Sequence, residues 1–184
     1  RYIGFSFHDD LSLFREIVDM YDWDLCQIQY NYVNEKTQAG TAGLKYAAKK
    51  NISTIIMEPL FGGVLANPPG KLARLFKKNR KNPVDLALRW LWDKPEVSLV
   101  LSGMSSMEQT VQNLEIADHS GVGTLTEKEK TVITEAQKAY DESLPVKCTK
   151  CRYCLPCPFG VDIPYNFELY NGIKAMPETA YLSK

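Results

Sequence analysis

Four cysteines lie within ten positions near the end of the 184-residue sequence, as Cys148, Cys151, Cys154 and Cys157 in the run CTKCRYCLPCP. Zinc sites normally join two pairs of ligands across a longer loop, because tetrahedral closure requires the chain to return. A compact C-x2-C-x2-C-x2-C-P run is more typical of thiolates that ligate a cubane. The spacing therefore predicts a 4Fe–4S cluster, with zinc or unliganded thiols as alternatives. Bacterial ferredoxins have three residues before the fourth cysteine, so Cys157 is expected to ligate either the same cluster or a second one.

Polar side chains also collect along two predicted strands. Alternation along LCQIQ places Gln27 and Gln29 on one face, and along YIGFSFH it groups Ser6 with His8. An unpaired buried amide costs about 1–3 kcal/mol, so both glutamines need partners or open space. Because parallel α/β folds bind ligands at the carboxyl ends of strands, a ligand site is favoured over a set of satisfied core amides. Cys26 faces the opposite way and is expected to be a small buried hydrophobe.

Four β-like runs, each followed by a helical pattern, must position these residues. The predicted strands are 2–7, 25–29, 53–57 and 97–101, and the predicted helices are 11–20, 42–49, 83–92, 107–117 and 126–141. Pro83 suits a first helical turn, and capping boxes are predicted at 105–108 and 126–129. The stretch between the third strand and Pro83 is expected to be a long loop. The strand spacing allows right-handed crossovers, so the sheet is predicted to be parallel.

The number of units is unusual for a complete fold. A barrel needs eight strands, whereas a sheet of four parallel strands has two edge strands with unpaired backbone groups and one uncovered face. We therefore expect either a small open sheet or half of a barrel. Because the sequence begins with Arg1 rather than Met, a processed or truncated piece is expected.

Bulk composition excludes several functional classes. Apolar content is 45%, charged content is 24% and the formal net charge is zero, which gives no indication of a nucleic-acid or membrane-surface partner. Neither a membrane-spanning segment nor an export signal is predicted. Cysteines at C-x2-C spacing are poorly suited to a disulfide framework, so we expect a reducing, cytoplasmic location.

An ordered series of motifs then points to a family. The series is Ile3-Gly4-Phe5-Ser6, Gln27 in mid-strand, Met57-Glu58-Pro59-Leu60, Ala87-Leu88-Arg89-Trp90, and the run from Ser102 through Gln109 to Asn113. No single motif is specific, but the series resembles the second half of an aldo-keto reductase, and with the cysteine run it resembles the iron–sulfur-containing branch of that family. The resemblance implies a (β/α)8 TIM barrel of which these four βα units are strands five to eight, followed by a helical, ferredoxin-like cysteine segment.

The resemblance also implies NAD(P) as a cofactor and assigns roles to residues. Ser6 and Gln27 match positions that hold the nicotinamide carboxamide. Met57 stands where the family usually has an aromatic residue under the nicotinamide ring, and its thioether can keep that contact. Pro59 and Leu60 match the turn along the pyrophosphate. The remaining positions, in the turn after the last strand and on the next helix near the adenosine, are Gly103, Ser105, Ser106, Gln109 and Asn113.

The implied reaction is hydride transfer between the nicotinamide and a small carbonyl substrate. The Tyr, Lys, Asp and His that support it in the family come from the first half of the barrel, so none is expected here. His8 is the candidate to assist, although an isolated histidine at a strand end is more typical of a structural role. We therefore expect this chain alone to be inactive and a missing amino-terminal half of the barrel to be its partner.

A basic run falls in the expected long loop: Lys71, Arg74, Lys77, Lys78, Arg80 and Lys81. Such runs are usually solvated faces, and the alternative is that this one helps to bind dinucleotide phosphates. Relatives that favour NADP often carry a basic residue in the turn after the last strand. Here that turn is neutral, which leaves the choice between NAD and NADP open.

The expected organisation is a half barrel with the cofactor cradle over 1–120, a connecting helix over 121–145 and an iron–sulfur segment over 146–184. The leading hypothesis is a fragment of an NAD(P)-dependent aldo-keto-reductase-like oxidoreductase. Its cluster would either relay electrons to a redox partner protein or have a purely structural role, holding the carboxyl-terminal segment in place. The alternative is a ferredoxin-like electron-transfer or interaction module on a degenerate barrel scaffold.

Overall fold

The computed structural model describes residues 1–68, 70–148 and 152–175, apart from the side chains of Lys71 and of residues 172–175. The strands are β1 (Gly4–Phe7), β2 (Leu25–Gln29), β3 (Ser53–Met57) and β4 (Val97–Val100). The helices are α1 (Leu11–Met20), α2 (Gly40–Lys49), α3 (Gly70–Asn79), α4 (Pro83–Trp92), α5 (Met107–Asp118), α6 (Glu127–Ser143) and α7 (Ile163–Ala175). No helix in these ranges combines the length and the apolar character that a bilayer crossing requires.

The strands form one four-stranded sheet in the order β1-β2-β3-β4, and every neighbouring pair is parallel, as the spacing predicts. The register pairs Ser6 with Gln27 and Gln29 with Met57. Side chains of paired residues in a sheet point to the same face, so the polar residues of β1 and β2 share one face with Met57 of β3. A sequential, parallel order with a helix after each strand is the arrangement of consecutive units in a TIM barrel.

The hydrophobic core lies on the opposite face, between the sheet and the helices. Its strand residues include Phe7, Cys26 and Ile56, and Phe14 from α1 and Leu91 from α4 belong to the same buried cluster. Burying a large aliphatic or aromatic side chain stabilises the fold by about 1.5–3 kcal/mol. The prediction that Cys26 is a buried hydrophobe is confirmed, since its side chain is fully buried.

The other face of the sheet is open. Leu99 on β4 is 46% exposed, and Ser6 on β1 is also exposed, although both stand on strands. The helices next to the two edge strands carry exposed apolar residues at helical spacing: Met107, Val111 and Leu114 on α5, and Leu13 and Met20 on α1. A parallel sheet normally has both faces covered. The open face and these apolar stripes form a surface that the described residues leave without a partner.

The expectation of a long loop after the third strand is wrong in part, because residues Gly70–Asn79 form α3. Leu72 and Phe76 are buried at i, i+4 spacing, and they join the core beneath α6. The described basic side chains of this helix, those of Arg74, Lys77 and Lys78, face solvent, which is the usual arrangement of an amphipathic surface helix. The first four residues of the basic run therefore lie on a helix, whereas Arg80 and Lys81 follow its end.

Helix α6 is held by a buried ionic cluster. The capping box predicted at 126–129 is confirmed: Thr126 N donates to Glu129 Oε2 (2.9 Å), and Glu129 N donates to Thr126 Oγ1 (3.3 Å). Glu129 Oε1 also accepts from Arg89 and from Lys81, each at 2.9 Å. Since a buried carboxylate is tolerated only when it is paired and hydrogen-bonded, this cluster fixes α6 against α4.

Candidate functional site

Three of the predicted site residues meet on the open face of the sheet. Gln27 Nε2 lies 3.4 Å from Ser6 Oγ and 3.5 Å from Met57 Sδ, so one amide links β1, β2 and β3. The contact with Ser6 is at the long end of the hydrogen-bonding range, and a thioether is a weak acceptor, so both contacts are weak. An amide and a hydroxyl held loosely beside a thioether can exchange these contacts for the carboxamide and the ring face of a planar heterocycle.

Gln29 shares the face of Gln27 but is only 3% exposed, and its Nε2 has no acceptor among the described residues. The next loop begins with Asn31, whose Oδ1 accepts from Val33 N (3.1 Å) and whose Nδ2 donates to Glu58 O (3.0 Å). Asn31 thereby ties the loop after β2 to the loop after β3. This tie positions Glu58 at the carboxyl rim of the sheet.

A large cleft continues from that rim along the loops after β3 and β4. Its volume is about 960 Å³. Six of the predicted cofactor positions line it: Pro59, Leu60, Gly103, Ser105, Gln109 and Asn113. The structure thus brings the predicted pyrophosphate turn and the predicted adenosine positions to one cleft. Phosphate sites in TIM barrels commonly lie between these two loops.

The turn on one side of the cleft is strained and internally bonded. Glu58 (φ 55°) and Phe61 (φ 50°) adopt left-handed backbone conformations, and Gly63 follows at φ 87°. Such conformations cost non-glycine residues about 1–3 kcal/mol and cluster at functional sites. Glu58 Oε2 accepts a hydrogen bond from Gly62 N, which offsets part of this cost. The position of Gly63 also has no atom within 4 Å of an added Cβ, so the turn presents bare backbone to the cleft.

The adenosine side of the cleft is built at the start of α5. The N-cap is Ser106, whose Oγ accepts from Gln109 N at 3.3 Å. The capping box predicted over 105–108 is wrong, because the N-cap lies one residue later and the Gln109 side chain accepts from Ser105 and not from the N-cap backbone. Ser105 instead donates from its N (2.9 Å) and its Oγ (3.2 Å) to Gln109 Oε1, and Asn113 Nδ2 donates to Ser102 Oγ at 2.9 Å. These bonds fix the orientation of two amide side chains along one helix face.

Most of the basic run lies away from this cleft. Lys77, Lys78 and Arg80 are exposed, and none of them lines it. Lys81 does line the cleft, but its ammonium is engaged by Glu129. The described residues therefore favour the interpretation of this run as a solvated face.

His8 stands at the carboxyl end of β1, where it contacts the cysteine segment. Its ring centroid lies 4.6 Å from that of Tyr153 in an edge-to-face arrangement. Burial lowers the pKa of His8 below its ordinary value, and the negative charge of Glu58 opposes this effect.

Two residues of the rim, Tyr153 and Glu58, were not predicted from the sequence. Glu58 directly follows a predicted strand, so its position at the carboxyl end of the sheet could have been predicted. Nothing in the sequence relates Tyr153 to β1.

The first residues of the tail are anchored. Val146 and Asn171 exchange hydrogen bonds of 3.1 and 2.7 Å, and Lys147 Nζ donates to Val33 O at 2.8 Å. Cys148 lines a small cavity of about 180 Å³ between these elements, together with Phe61.

The predicted cluster ligands are only partly described. Cys148 and Cys157 are half-buried, Cys154 is exposed, and all three thiols are free. Cys151 lies outside the described residues. Within the ranges that are described, no three ligand-type side chains come together as a metal site. The ligand set therefore remains a prediction from spacing and donor chemistry.

Comparison with known sequences supplies the family. The profile of the aldo/keto reductase family matches residues 1–136. The chain belongs to the aldo/keto reductase family. The match ends within α6, so the cysteine segment lies beyond it. Members of this family are oxidoreductases that generally use NAD(P)H on carbonyl substrates. No functionally curated protein matches the chain.

Several solved structures share the fold of this aldo/keto reductase chain. An aldo-keto reductase from Bacillus halodurans in its holo form aligns with a TM-score of 0.59 at 18% identity, covering 74% of this chain and 50% of that one. A putative 2,5-diketo-D-gluconic acid reductase B aligns with a TM-score of 0.56 at 23% identity, covering 74% and 45%. A thermostable aldo-keto reductase in complex with the inhibitor epalrestat gives 0.54 at 22%, covering 74% and 48%. The chain thus spans about half the length of these relatives.

Proposed function

We propose that this chain supplies the dinucleotide-binding half of an NAD(P)-dependent oxidoreductase that acts on a small carbonyl compound. The observation that carries the proposal is the continuity of the site. Ser6, Gln27 and Met57 meet at one end, and a cleft lined by Leu60 and Gln109 extends from the rim beside them. An extended ligand with a planar amide at one end and hydroxyl-rich groups at the other matches this order of partners.

Each residue then has a defined part in binding. The dinucleotide, when bound, supplies the hydride. Gln27 and Ser6 orient the carboxamide, and the thioether of Met57 packs against the ring. The exposed backbone at Gly63 admits close approach of the pyrophosphate, and the start of α5 adds the positive end of a helix dipole.

We assign the proton-donating groups to another half of the barrel, which covers the open face of the sheet. Its support is the exposed inner face together with the apolar stripes beside both edge strands. The carbonyl pocket is then completed only when that half is present. The four thiols, kept reduced, are in keeping with a cytoplasmic location.

The binding test uses NADH fluorescence titrations of the chain. We expect Gln27→Ala to weaken NADH binding about tenfold, because the loss of the hydrogen bonds to one amide is worth about 1–1.5 kcal/mol. Ser6→Ala should weaken it less, and Ser53→Ala is the matched control, since Ser53 lies at the other end of the same face. Binding that survives Gln27→Ala unchanged would favour the alternative of an interaction module on a barrel scaffold. Rapid carbonyl reduction by the chain alone would contradict the assignment of the proton donors elsewhere.

We further propose that Cys148, Cys151, Cys154 and Cys157 ligate a 4Fe–4S cluster. The support is the donor set itself, four thiolates at a spacing that suits iron better than zinc. Anaerobic reconstitution followed by iron and sulfide analysis tests the proposal. Cys154→Ala should abolish the bound iron, whereas Cys26→Ala should not, because burial raises the pKa of Cys26 to about 11 and keeps it a thiol. Stoichiometric zinc in place of iron would refute the cluster.

A further inference from the structure

Two packed helices form walls of the large cleft. Its lining includes Asn82, Pro83 and Val84 at the start of α4, and Gln109 and Asn113 on α5. These two helices pack against each other. A bond that fixes α5 against α4 therefore also fixes the distance between these two walls of the cleft.

Few apolar contacts hold α5 in place. Of its residues, all of which the structure describes, only Ile116 is buried, whereas Met107, Val111 and Leu114 are exposed. Most of the stability of a helix in a protein comes from the packing of its apolar face. The position of α5 therefore depends strongly on its polar contacts with neighbouring elements.

His119 makes such a contact. It is the C-cap residue of α5, its ring is exposed, and its Nε2 lies 2.9 Å from Oδ1 of Asp85. Asp85 directly follows the cleft residue Val84 on α4. The other ring nitrogen, Nδ1, lies 2.6 Å from the carbonyl oxygen of Glu115. One imidazole ring thus joins the end of α5 to the start of α4.

Both ring nitrogens of His119 face oxygen atoms that only accept hydrogen bonds. The Glu115 carbonyl has no proton to donate, and the carboxylate of Asp85 also accepts from Arg89 Nη1 at 3.3 Å. A neutral imidazole has one N–H group, whereas an imidazolium has two. Both contacts can therefore be hydrogen bonds only when His119 is protonated. Loss of the proton removes one of the two bonds and the attraction between the ring and the carboxylate.

The groups around the ring favour its protonated form. The hydrogen bond with Asp85, followed by that with the Glu115 carbonyl, raises the pKa of His119 above its ordinary value. Desolvation of the ring and the charge of Arg89 oppose this effect, and Arg89 is itself paired with Glu129 of α6. The Glu115 carbonyl belongs to the last turn of α5, where the helix dipole also favours a cation. The ring therefore keeps its proton at the ordinary histidine pKa of about 6.5 and loses it as the pH rises further.

We propose that His119 is a proton-dependent positioning residue, whose imidazolium ties α5 to Asp85 and holds the two walls of the cleft at the distance that suits a dinucleotide. The affinity for the ligand then falls as the pH rises and the ring loses its proton. The inference rests on the proposed function, because it assigns the cleft to a dinucleotide. It adds regulation by pH, which acts through a residue outside the lining of the cleft.

The probe for the test is ADP-ribose, because it lacks the nicotinamide and has no group that titrates between pH 6 and pH 8.5. Calorimetry at these two pH values measures its affinity for the chain. We expect the affinity to be about fivefold lower at pH 8.5, which is at the low end of the usual coupling between linked sites. Because coupling is reciprocal, saturating ADP-ribose should raise the pKa of His119 in an NMR titration. A histidine with a merely structural role would titrate alike with and without the ligand.

Two substitutions of His119 separate its charge from its packing. His119→Gln keeps a hydrogen-bonding side chain without the charge, so it should bind ADP-ribose at both pH values as weakly as the unmodified chain does at pH 8.5. His119→Lys keeps a positive charge over this pH range and should bind tightly at both values. Equal weakening in the two variants would show that the charge has no part in positioning α5.

The outcomes distinguish this inference from the proposed function. If the unmodified chain binds ADP-ribose equally well at both pH values, or if the titration of His119 does not change on binding, the inference is overturned and the dinucleotide cleft remains. If neither ADP-ribose nor NADH binds at either pH, the proposed function is refuted together with the inference.

Discussion

The rings of His8 and Tyr153 meet edge to face at 4.6 Å, although 145 positions separate them in the sequence. His8 ends the strand that carries Ser6, and Tyr153 immediately precedes Cys154. The contact therefore places the cysteine segment at the carboxyl rim of the sheet, on the side where the proposed nicotinamide partners lie. Lys147, bonded to Val33 O, anchors the same segment to the loop after β2.

Removal of the tyrosine ring should expose His8. The pKa of His8 is held below its ordinary value chiefly by burial, so Tyr153→Ala should raise it toward about 6.5. An NMR titration of the two histidines measures this directly. His119 serves as the internal reference, because its hydrogen bond to Asp85 raises its pKa in both proteins. Tyr165→Ala, on the exposed side of α7, is the control. An unchanged His8 titration in Tyr153→Ala would show that the tail does not cover the rim.

Much of the sheet could be predicted because its strands have simple signals. The segments LCQIQ and STIIM are short apolar or alternating runs, and their predicted bounds agree with β2 and β3. The alternation that placed Ser6 and Gln27 on one face is confirmed by their register and by the contact between them. Alternation along a strand determines on which face of the sheet a side chain lies, without tertiary information. This part of the site could therefore be predicted from the sequence.

Helix α3 and the position of the cysteine segment were harder to predict from the sequence. The basic residues of α3 dominated its pattern, although Leu72, Leu75 and Phe76 have the i, i+3, i+4 spacing of a buried stripe. The cap of α5 depended on which of two adjacent serines takes the extended conformation, and Ser106 does, at φ −135°. Where the cysteine segment docks depends on contacts between residues far apart in sequence, which no local pattern encodes.

The buried acid of α6 should contribute strongly to stability. In Glu129→Gln the guanidinium of Arg89 loses a buried counter-charge, and such losses cost about 3–5 kcal/mol. We expect about 3 kcal/mol, because Arg89 keeps Asp85 at 3.3 Å and the carbonyl of Thr124 at 2.7 Å. Urea denaturation measures the difference. Glu127→Gln, which removes an exposed pair with Lys130, should cost less than about 0.5 kcal/mol. Similar midpoints for the two variants would refute the assignment.

The same residue should make stability depend on pH in the acidic range. Burial alone raises the pKa of Glu129, but hydrogen bonds from Lys81, Thr126 and Arg89 outweigh it and hold the pKa well below its usual value. The unfolded chain therefore binds a proton near its ordinary pKa of about 4.3, where the folded chain does not. The stabilisation is complete above that pH and is lost as the pH falls further. Denaturation curves at pH 6 and pH 3.5 should show a smaller loss of stability in Glu129→Gln than in the unmodified protein. Parallel losses in both proteins would exclude Glu129 as the source.

The two faces of the sheet should respond differently to truncation. Ile56 on β3 is fully buried beneath the helices, so Ile56→Ala should lower the free energy of unfolding by about 2–5 kcal/mol. Leu99, on the open face of β4, is 46% exposed, and Leu99→Ala should cost less than about 0.5 kcal/mol in the isolated chain. If a second half of the barrel covers that face, Leu99 becomes a core residue. Once that half is restored, Leu99→Ala should therefore lower the free energy of unfolding by about 2 kcal/mol or more. A Leu99→Ala cost as large as that of Ile56→Ala in the isolated chain would mean that its inner face is already covered, and the half-barrel proposal would then be wrong.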